Sequence, residues 1–152
     1  MSPPFHWSSW LGNHFSTVLN HELEEGDWNR IHIANYGVTC SGLNLIEQPI
    51  LDFLNADQEN TIRIVVGWDG VTTVAAIRRL LAYRNASNDR VQISIFHVPD
   101  SAVEQPPTPI FHPKIYVFSN DNAGALFVGS HNLTRPGLSR NMEASLEIRG
   151  QK

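Results

Sequence analysis

Cysteine is nearly missing from this chain. One thiol, Cys40, occurs in 152 residues, so no internal disulfide framework can staple the fold, and a reducing cytoplasm is the expected setting. Lysine is almost as scarce: Lys114 and Lys152 stand against nine arginines. With a net charge of -4, the chain as a whole is not built as a non-specific polyanion binder. No apolar run approaches the ~20 residues a bilayer span needs, so no membrane partner is expected. The opening Met1-Ser2-Pro3-Pro4 has neither the basic start nor the apolar stretch of a secretory signal. Internal repeats and low-complexity tracts are absent, and no Cys, His or carboxylate cluster has metal-ligand spacing. Disulfide-rich, membrane-spanning, repeat and structural-zinc classes are thereby excluded.

What remains is ordinary globular composition, 41% hydrophobic and 17% charged, enough for one domain over residues 1–152 with a core of its own. Charge is unevenly spread. Residues 1–111 hold 6 basic and 12 acidic side chains, whereas residues 112–152 hold 5 basic and 3 acidic, so the carboxyl end is the basic one. Trp10, Leu11, Phe15, Val18, Leu19 and Leu23 fall at helical spacing over residues 8–25, with Ser8 or Ser9 as cap. Arg30–Tyr36 reads as a strand, and Gly37–Gly42 as a loop. Leu43, Ile46, Ile50, Leu51 and Leu54 form a helical stripe in which Pro49 marks a kink or a late start. Thr61–Gly67 is a strand, Val71–Tyr83 a helix and Arg90–Val98 a strand. In that helix Val74, Ile77, Leu80 and Leu81 are expected inward, and Arg78, Arg79 and Arg84 largely outward.

Strand, helix, strand, helix, strand is a βαβαβ unit with right-handed crossovers and parallel strands. IVVG and ALFVG are apolar on both faces, so helices are expected on both sides: an α/β/α sandwich around a mixed, largely parallel sheet. Ligands in such sheets bind beyond the carboxyl ends of the strands, which nominates Tyr36–Ser41, Trp68-Asp69-Gly70 and His97. Within that set Trp68 is expected to pack and His97 to be structural, while Cys40 has no partner for a nucleophilic role. His14 and His21 read as solvated or packed rather than as ligands. The proline-rich stretch 100–109 reads as a flexible loop, a lid or part of a substrate groove.

The chemistry concentrates between Phe111 and Glu147. Two apolar runs, Ile115–Phe118 and Ala125–Val128, flank the turn Ser119–Gly124 and read as a hairpin. His112 and Lys114 are two apart, so on a strand their side chains leave one face; Ser130 and Asn132 repeat that spacing. After the turn Arg135-Pro136-Gly137 a third strand starts near Glu143. A neutral imidazole can attack phosphorus, a lysine can neutralise a phosphoryl oxygen, and an asparagine amide can donate to the same oxygens. Glu143 can hold the other imidazole nitrogen and fix its tautomer. Ser130 joins this set as a candidate catalytic residue, and Arg135 and Arg140 are candidates for nucleic-acid contact. His131 is expected to point away from Ser130 and Asn132, as a residue at the rim.

His112, Lys114, Gly129, Ser130 and Asn132, followed by Glu143, resemble the HxK…GSxN signature of the phospholipase D superfamily. The run NLTRPGLSRNMEAS resembles its metal-independent restriction endonucleases most closely. The family carries an Asp five residues after the Lys; here that place is Ser119, and Asp121 follows two later. The resemblance implies an α/β/α fold and a metal-independent DNA endonuclease that works through a phosphohistidine, with no cofactor. Because the chain has one HxK motif and the reaction uses two imidazoles, it also implies a homodimer with the active site at its interface. Restriction activity would add a specificity domain or a helicase partner, since no DNA-reading motif is visible, and the chain would be a domain excised from a longer enzyme. Three other readings stand beside it. A metal-dependent PD-(D/E)xK nuclease would use Pro99-Asp100 and Lys114, but it needs a carboxylate where His112 stands. A lipid or phosphatidyl transferase of the same superfamily would carry two motif copies. A non-catalytic nucleic-acid-binding or dimerisation module would not need the intact set.

Overall fold

Alternating burial along the strands decides where the core lies. The computed structural model describes residues 5–8, 14–68, 70–98 and 110–151. In β2 (Arg30–Asn35) Ile31, Ile33 and Asn35 are buried; in β3 (Thr61–Gly67) Ile62, Ile64 and Val66 are. The ladders place Ile64 and Tyr116 of β5 (Lys114–Ser119) on either side of Ile33, and Phe127 of β6 (Ala123–Gly129) beside Tyr116. These residues share one face, because directly paired strand residues project to the same side. Phe15, Leu19 and Leu23 of α1 (Phe15–Glu25) close that face, together with Ile50, Phe53 and Leu54 of α3 (Glu47–Ala56) and Ala76, Ile77 and Leu80 of α4 (Val74–Ala86).

Among the described residues the sheet has seven strands in the order β1-β7-β6-β5-β2-β3-β4. Here β1 is Phe5–Ser8, β4 is Val91–Phe96 and β7 is Glu143–Gln151. Parallel pairing is confined to β2, β3 and β4, the expected βαβαβ unit, and the remaining ladders are antiparallel. The fold is therefore α/β with a mixed sheet, as expected, but the sheet is not largely parallel: four of its six ladders among the described residues are antiparallel. Over the second face the expected helical layer is not among the described residues. Val128, Leu146 and Ile148 project there, each partly exposed.

The boundaries moved where local signals were short. Ser8 closes β1 instead of capping a helix, and α1 begins at Phe15 after His14. Trp10 and Leu11 lie outside the described residues, as does the stretch 100–109. Pro49 marks a late start: α3 opens at Glu47, and a proline in a first turn removes no helical hydrogen bond. Part of the expected loop is a short helix, α2 (Cys40–Leu43), capped by the Thr39 hydroxyl, which accepts from the Gly42 N–H at 3.2 Å. Likewise Arg135-Pro136-Gly137 opens α5 (Arg135–Ser139), because the Thr134 hydroxyl accepts from the Gly137 N–H at 3.2 Å. In α4 the buried stripe is Ala76, Ile77, Leu80 and Tyr83; Val74 and Leu81 lie outside it and are exposed. Arg79 is half-buried and pairs with Glu47, whose carboxylate also accepts from Tyr83 Oη at 2.6 Å.

Candidate active site

Four chain segments meet at one edge of the sheet because of strand direction. β5 runs antiparallel to β2, β6 to β5 and β7 to β6. The ends of β2 and β6 and the starts of β5 and β7 therefore converge, bringing together Asn35-Tyr36, Gly129–Asn132, His112–Lys114 and Glu143. The Tyr36 N–H donates to the Pro113 carbonyl at 2.8 Å and ties the HxK segment to β2. Gly129 permits the closure: a Cβ there would lie 2.2 Å from the Ala144 carbonyl oxygen of β7, well inside van der Waals contact.

Lys114 is buried and His112 exposed. The Lys114 ammonium lies 2.8 Å from His112 Nδ1 and 2.9 Å from Nε2, and donates to the His112 carbonyl at 3.1 Å. A lysine has only donors and the ammonium is nearly equidistant from the two ring nitrogens, so it can donate only to whichever nitrogen carries no proton. The Tyr36 ring backs both groups, 4.7 Å from the imidazole centroid and 5.2 Å from Lys114 Nζ. Burial strips water from the ammonium and lowers the Lys114 pKa from its ordinary value, while the negative charge of Glu143 works in the opposite direction. The Glu143 carboxylate accepts from Asn141 Nδ2 at 3.0 Å. Within this chain its negative charge favours the Lys114 ammonium, and among the described residues it makes no hydrogen bond to the His112 ring.

Asn132 is partly buried, and its Oδ1 is enclosed without a hydrogen-bond partner among the described residues. Ser130 has a structural contact: its Oγ accepts from the Ala144 N–H at 3.2 Å, stitching the end of β6 to β7. Arg135 and Arg140 are exposed at the two ends of α5, the short helix between the GSxN segment and β7. His131 is not at the rim. It is 1% exposed and stacks on Phe15 with ring centroids 4.0 Å apart. Leaving the face shared by Ser130 and Asn132 carried its ring into the apolar core.

Asn35 and Tyr116 belong to this edge and were not singled out in the sequence. Asn35 is 0% exposed. Its Nδ2 donates to Tyr116 Oη at 2.9 Å and to the His131 carbonyl at 3.2 Å, and its Oδ1 accepts from the N–H groups of Gly37 and Leu133. A signal was available, since the alternation that turns Ile31 and Ile33 inward turns Asn35 inward too. Burial raises the Tyr116 pKa far above the ordinary tyrosine value, so the hydroxyl stays protonated and donates to the His131 carbonyl at 2.9 Å.

Other nominated residues sit apart from this cluster. Trp68 is 39% exposed rather than packed, and shares an open apolar groove with Val74, Ile77, Ile95 and His97. His97 is exposed, His21 forms an exposed pair with Glu25 at 3.4 Å, and Cys40 packs against the core at the start of α2. Asp121 pairs with Arg30 at 2.5 Å at the far end of β2, so it holds the β5–β6 turn rather than the site. A groove of about 730 Å³ at that far end is lined by Glu24, Asp27, Asp52, Asp57 and Asp121, a lining that repels polyanions. No group of three or more His, Cys, Asp or Glu able to hold a metal occurs among the described residues.

Comparison with known proteins follows the same division of the chain. No curated protein sequence matches it. Among solved structures, NucT from Helicobacter pylori aligns with a TM-score of 0.59 at 15% identity, covering 86% of this chain and 74% of that one. That likeness shows a shared fold. A mutant of the yeast tyrosyl-DNA phosphodiesterase covers 79% of this chain and 25% of its own, at 14% identity and a TM-score of 0.48. The family model described as "Cardiolipin synthase, PLD-like domain" matches residues 28–152, a span that holds β2 and the whole HxK…GSxN edge. On that match the chain belongs to the phospholipase D-like domain family.

Proposed function

We propose that this chain hydrolyses DNA phosphodiester bonds as a metal-independent endonuclease, the catalytic domain of a cytoplasmic restriction enzyme. Phosphodiester chemistry is common to the superfamily. The observation that carries the reading is the Lys114 ammonium, 2.8–2.9 Å from both ring nitrogens of His112, on the same sheet edge as Asn132. In this scheme a His112 imidazole attacks phosphorus and an N–P bond forms. A second imidazole gives its proton to the leaving oxygen, then draws a proton from the water that breaks the N–P bond. Lys114 neutralises a non-bridging oxygen, and the Asn132 amide donates to the developing charge. Ser130 holds the GSxN turn against β7.

One HxK motif per chain supplies one such imidazole, so the working enzyme is a homodimer whose two-fold axis brings His112 of each subunit together. Glu143 sustains Lys114 within its own chain; orienting an imidazole, the role its family resemblance assigns, requires the second subunit. Arg135 and Arg140 carry DNA phosphates, and sequence recognition comes from a further domain or a helicase partner.

The matched family takes its description from a lipid enzyme, cardiolipin synthase, so the test must separate substrates. Plasmid DNA and phospholipid vesicles are incubated in excess chelator with the wild-type chain and with His112→Ala. Nicking of DNA that His112→Ala abolishes supports the proposal. Hydrolysis confined to phospholipid removes DNA as the substrate, and activity that returns only with magnesium removes metal independence and favours the PD-(D/E)xK alternative.

A further inference from the structure

We infer that Asn35 is a positioning residue that sets where the Asn132 side chain leaves the backbone, through the two peptide planes on either side of it. The inference rests on the role proposed above for Asn132. The His131 carbonyl belongs to the peptide that enters Asn132, and the Leu133 N–H to the peptide that leaves it. Asn35 holds both, donating to the first at 3.2 Å and accepting from the second at 3.0 Å. Peptide units are planar, so fixing both planes fixes φ and ψ at Asn132 and with them the Cα–Cβ direction.

The side chain of Asn132 needs that outside control. Its own Oδ1 has no hydrogen-bond partner among the described residues, so the oxygen does not orient the amide. The Asn35 amide, by contrast, is saturated: two donations to Tyr116 Oη and the His131 carbonyl, two acceptances from Gly37 and Leu133. Two backbone N–H groups converge on its Oδ1, which identifies that atom as the oxygen. Tyr116 Oη closes the circuit by donating to the same His131 carbonyl at 2.9 Å.

Neighbouring backbone is shaped to receive this clamp. A Cβ at Gly137 would lie 2.6 Å from the Asn132 carbonyl oxygen and 2.8 Å from its nitrogen, so α5 approaches Asn132 as only a glycine allows. The Leu133 carbonyl accepts from the Thr39 N–H at 3.1 Å, anchoring the other side. Asn35 is also the direct ladder partner of Lys114 in the β2–β5 pairing. One buried residue therefore relates the Lys114 ammonium to the Asn132 amide, the two groups assigned to the phosphoryl oxygens.

A double-mutant cycle tests this. Asn35→Asp keeps the side chain's shape and its two acceptances but loses both donations. It is measured in the wild-type and Asn132→Ala backgrounds, for kcat and KM separately, with thermal melts confirming folding. The expected result is a drop in kcat of about 10- to 10²-fold at nearly unchanged KM with Asn132 present, since small misplacements of a catalytic group cost this much. In the Asn132→Ala background the same change should cost little, because the group it positions is gone. Tyr116→Phe, which removes one arm of the clamp and keeps the ring, should follow the same non-additive pattern and replaces Asn35→Asp if that variant does not fold. Equal losses in both backgrounds, or no loss with Asn132 present, overturn the inference. Full activity of Asn132→Ala alone instead removes the role proposed for Asn132, and the positioning role falls with it.

Discussion

Lys114 and His112 are two residues apart in the chain, and the Lys114 ammonium is 2.8 Å from the nearer His112 ring nitrogen. The pair is asymmetric: the lysine stem is buried in the sheet face while the imidazole stands in solvent. A buried ammonium costs solvation unless it meets acceptors, and here it meets His112, the Tyr36 ring and the charge of Glu143. That cost is what a substrate phosphate would relieve.

Removing either charge stabiliser should therefore slow the chemistry and spare the fold. Lys114→Met keeps most of the buried stem, and Asn132→Ala removes an amide whose oxygen has no hydrogen-bond partner among the described residues. Each is expected to lower kcat by about 10²–10³-fold, as for loss of one transition-state donor, with melting curves close to wild type. Near wild-type rates in both variants would remove their assigned roles.

The pH dependence should expose Glu143. Burial lowers the Lys114 pKa, and the Glu143 charge partly restores it. Rate should fall on the alkaline side as the ammonium loses its proton, at a pH below that of an ordinary lysine. Glu143→Gln removes the restoring charge, so the alkaline limb should move to still lower pH. In stability the sign is opposite. A lysine whose folded pKa is depressed opposes folding while it is charged in both states, and that penalty is relieved as pH rises from the folded toward the unfolded pKa. An unchanged or upward-shifted alkaline limb in Glu143→Gln, followed in kcat against pH, would contradict this coupling.

DNA affinity should follow salt through the arginines at α5. Arg135→Ala and Arg140→Ala are each expected to weaken binding on all sequences alike and to reduce the slope of log K against log salt by about 1. Titrations between low and physiological salt measure it. An unchanged slope in both variants places the DNA elsewhere.

How much of this was legible in the sequence depends on how local each feature is. The HxK pair, the GSxN segment and the βαβαβ order are set by spacing and alternation within a few residues, and they appear where expected. β1 was not legible, because FHWS is four residues whose strand state depends on pairing with β7. The GSxN loop was legible as a motif but not as a structure. Its geometry comes from Asn35, 97 positions before Asn132 in the numbering, and from Tyr116 on a third strand. His131 was misplaced for a related reason. Extending strand alternation past β6 gave its direction relative to its neighbours, but only packing against Phe15 of α1 shows that this direction leads into the core.

The shared-site homodimer makes a distinct prediction from mixed subunits. Heterodimers of wild-type and His112→Ala chains should be almost inactive, since each contains a single catalytic histidine and lacks the second imidazole that protonates the leaving oxygen. Retention of half the wild-type rate, or cleavage by isolated monomers, would place a complete site in each chain.

The central claim is that His112 forms a covalent bond to phosphorus without a metal. A cleavable oligonucleotide labelled at phosphorus is mixed with the chain in excess chelator, quenched at alkaline pH during turnover, digested and analysed by mass spectrometry. The account predicts label on the peptide carrying His112, present in wild type and missing in His112→Ala. Cleavage that proceeds under the same conditions with no label on that peptide would contradict it.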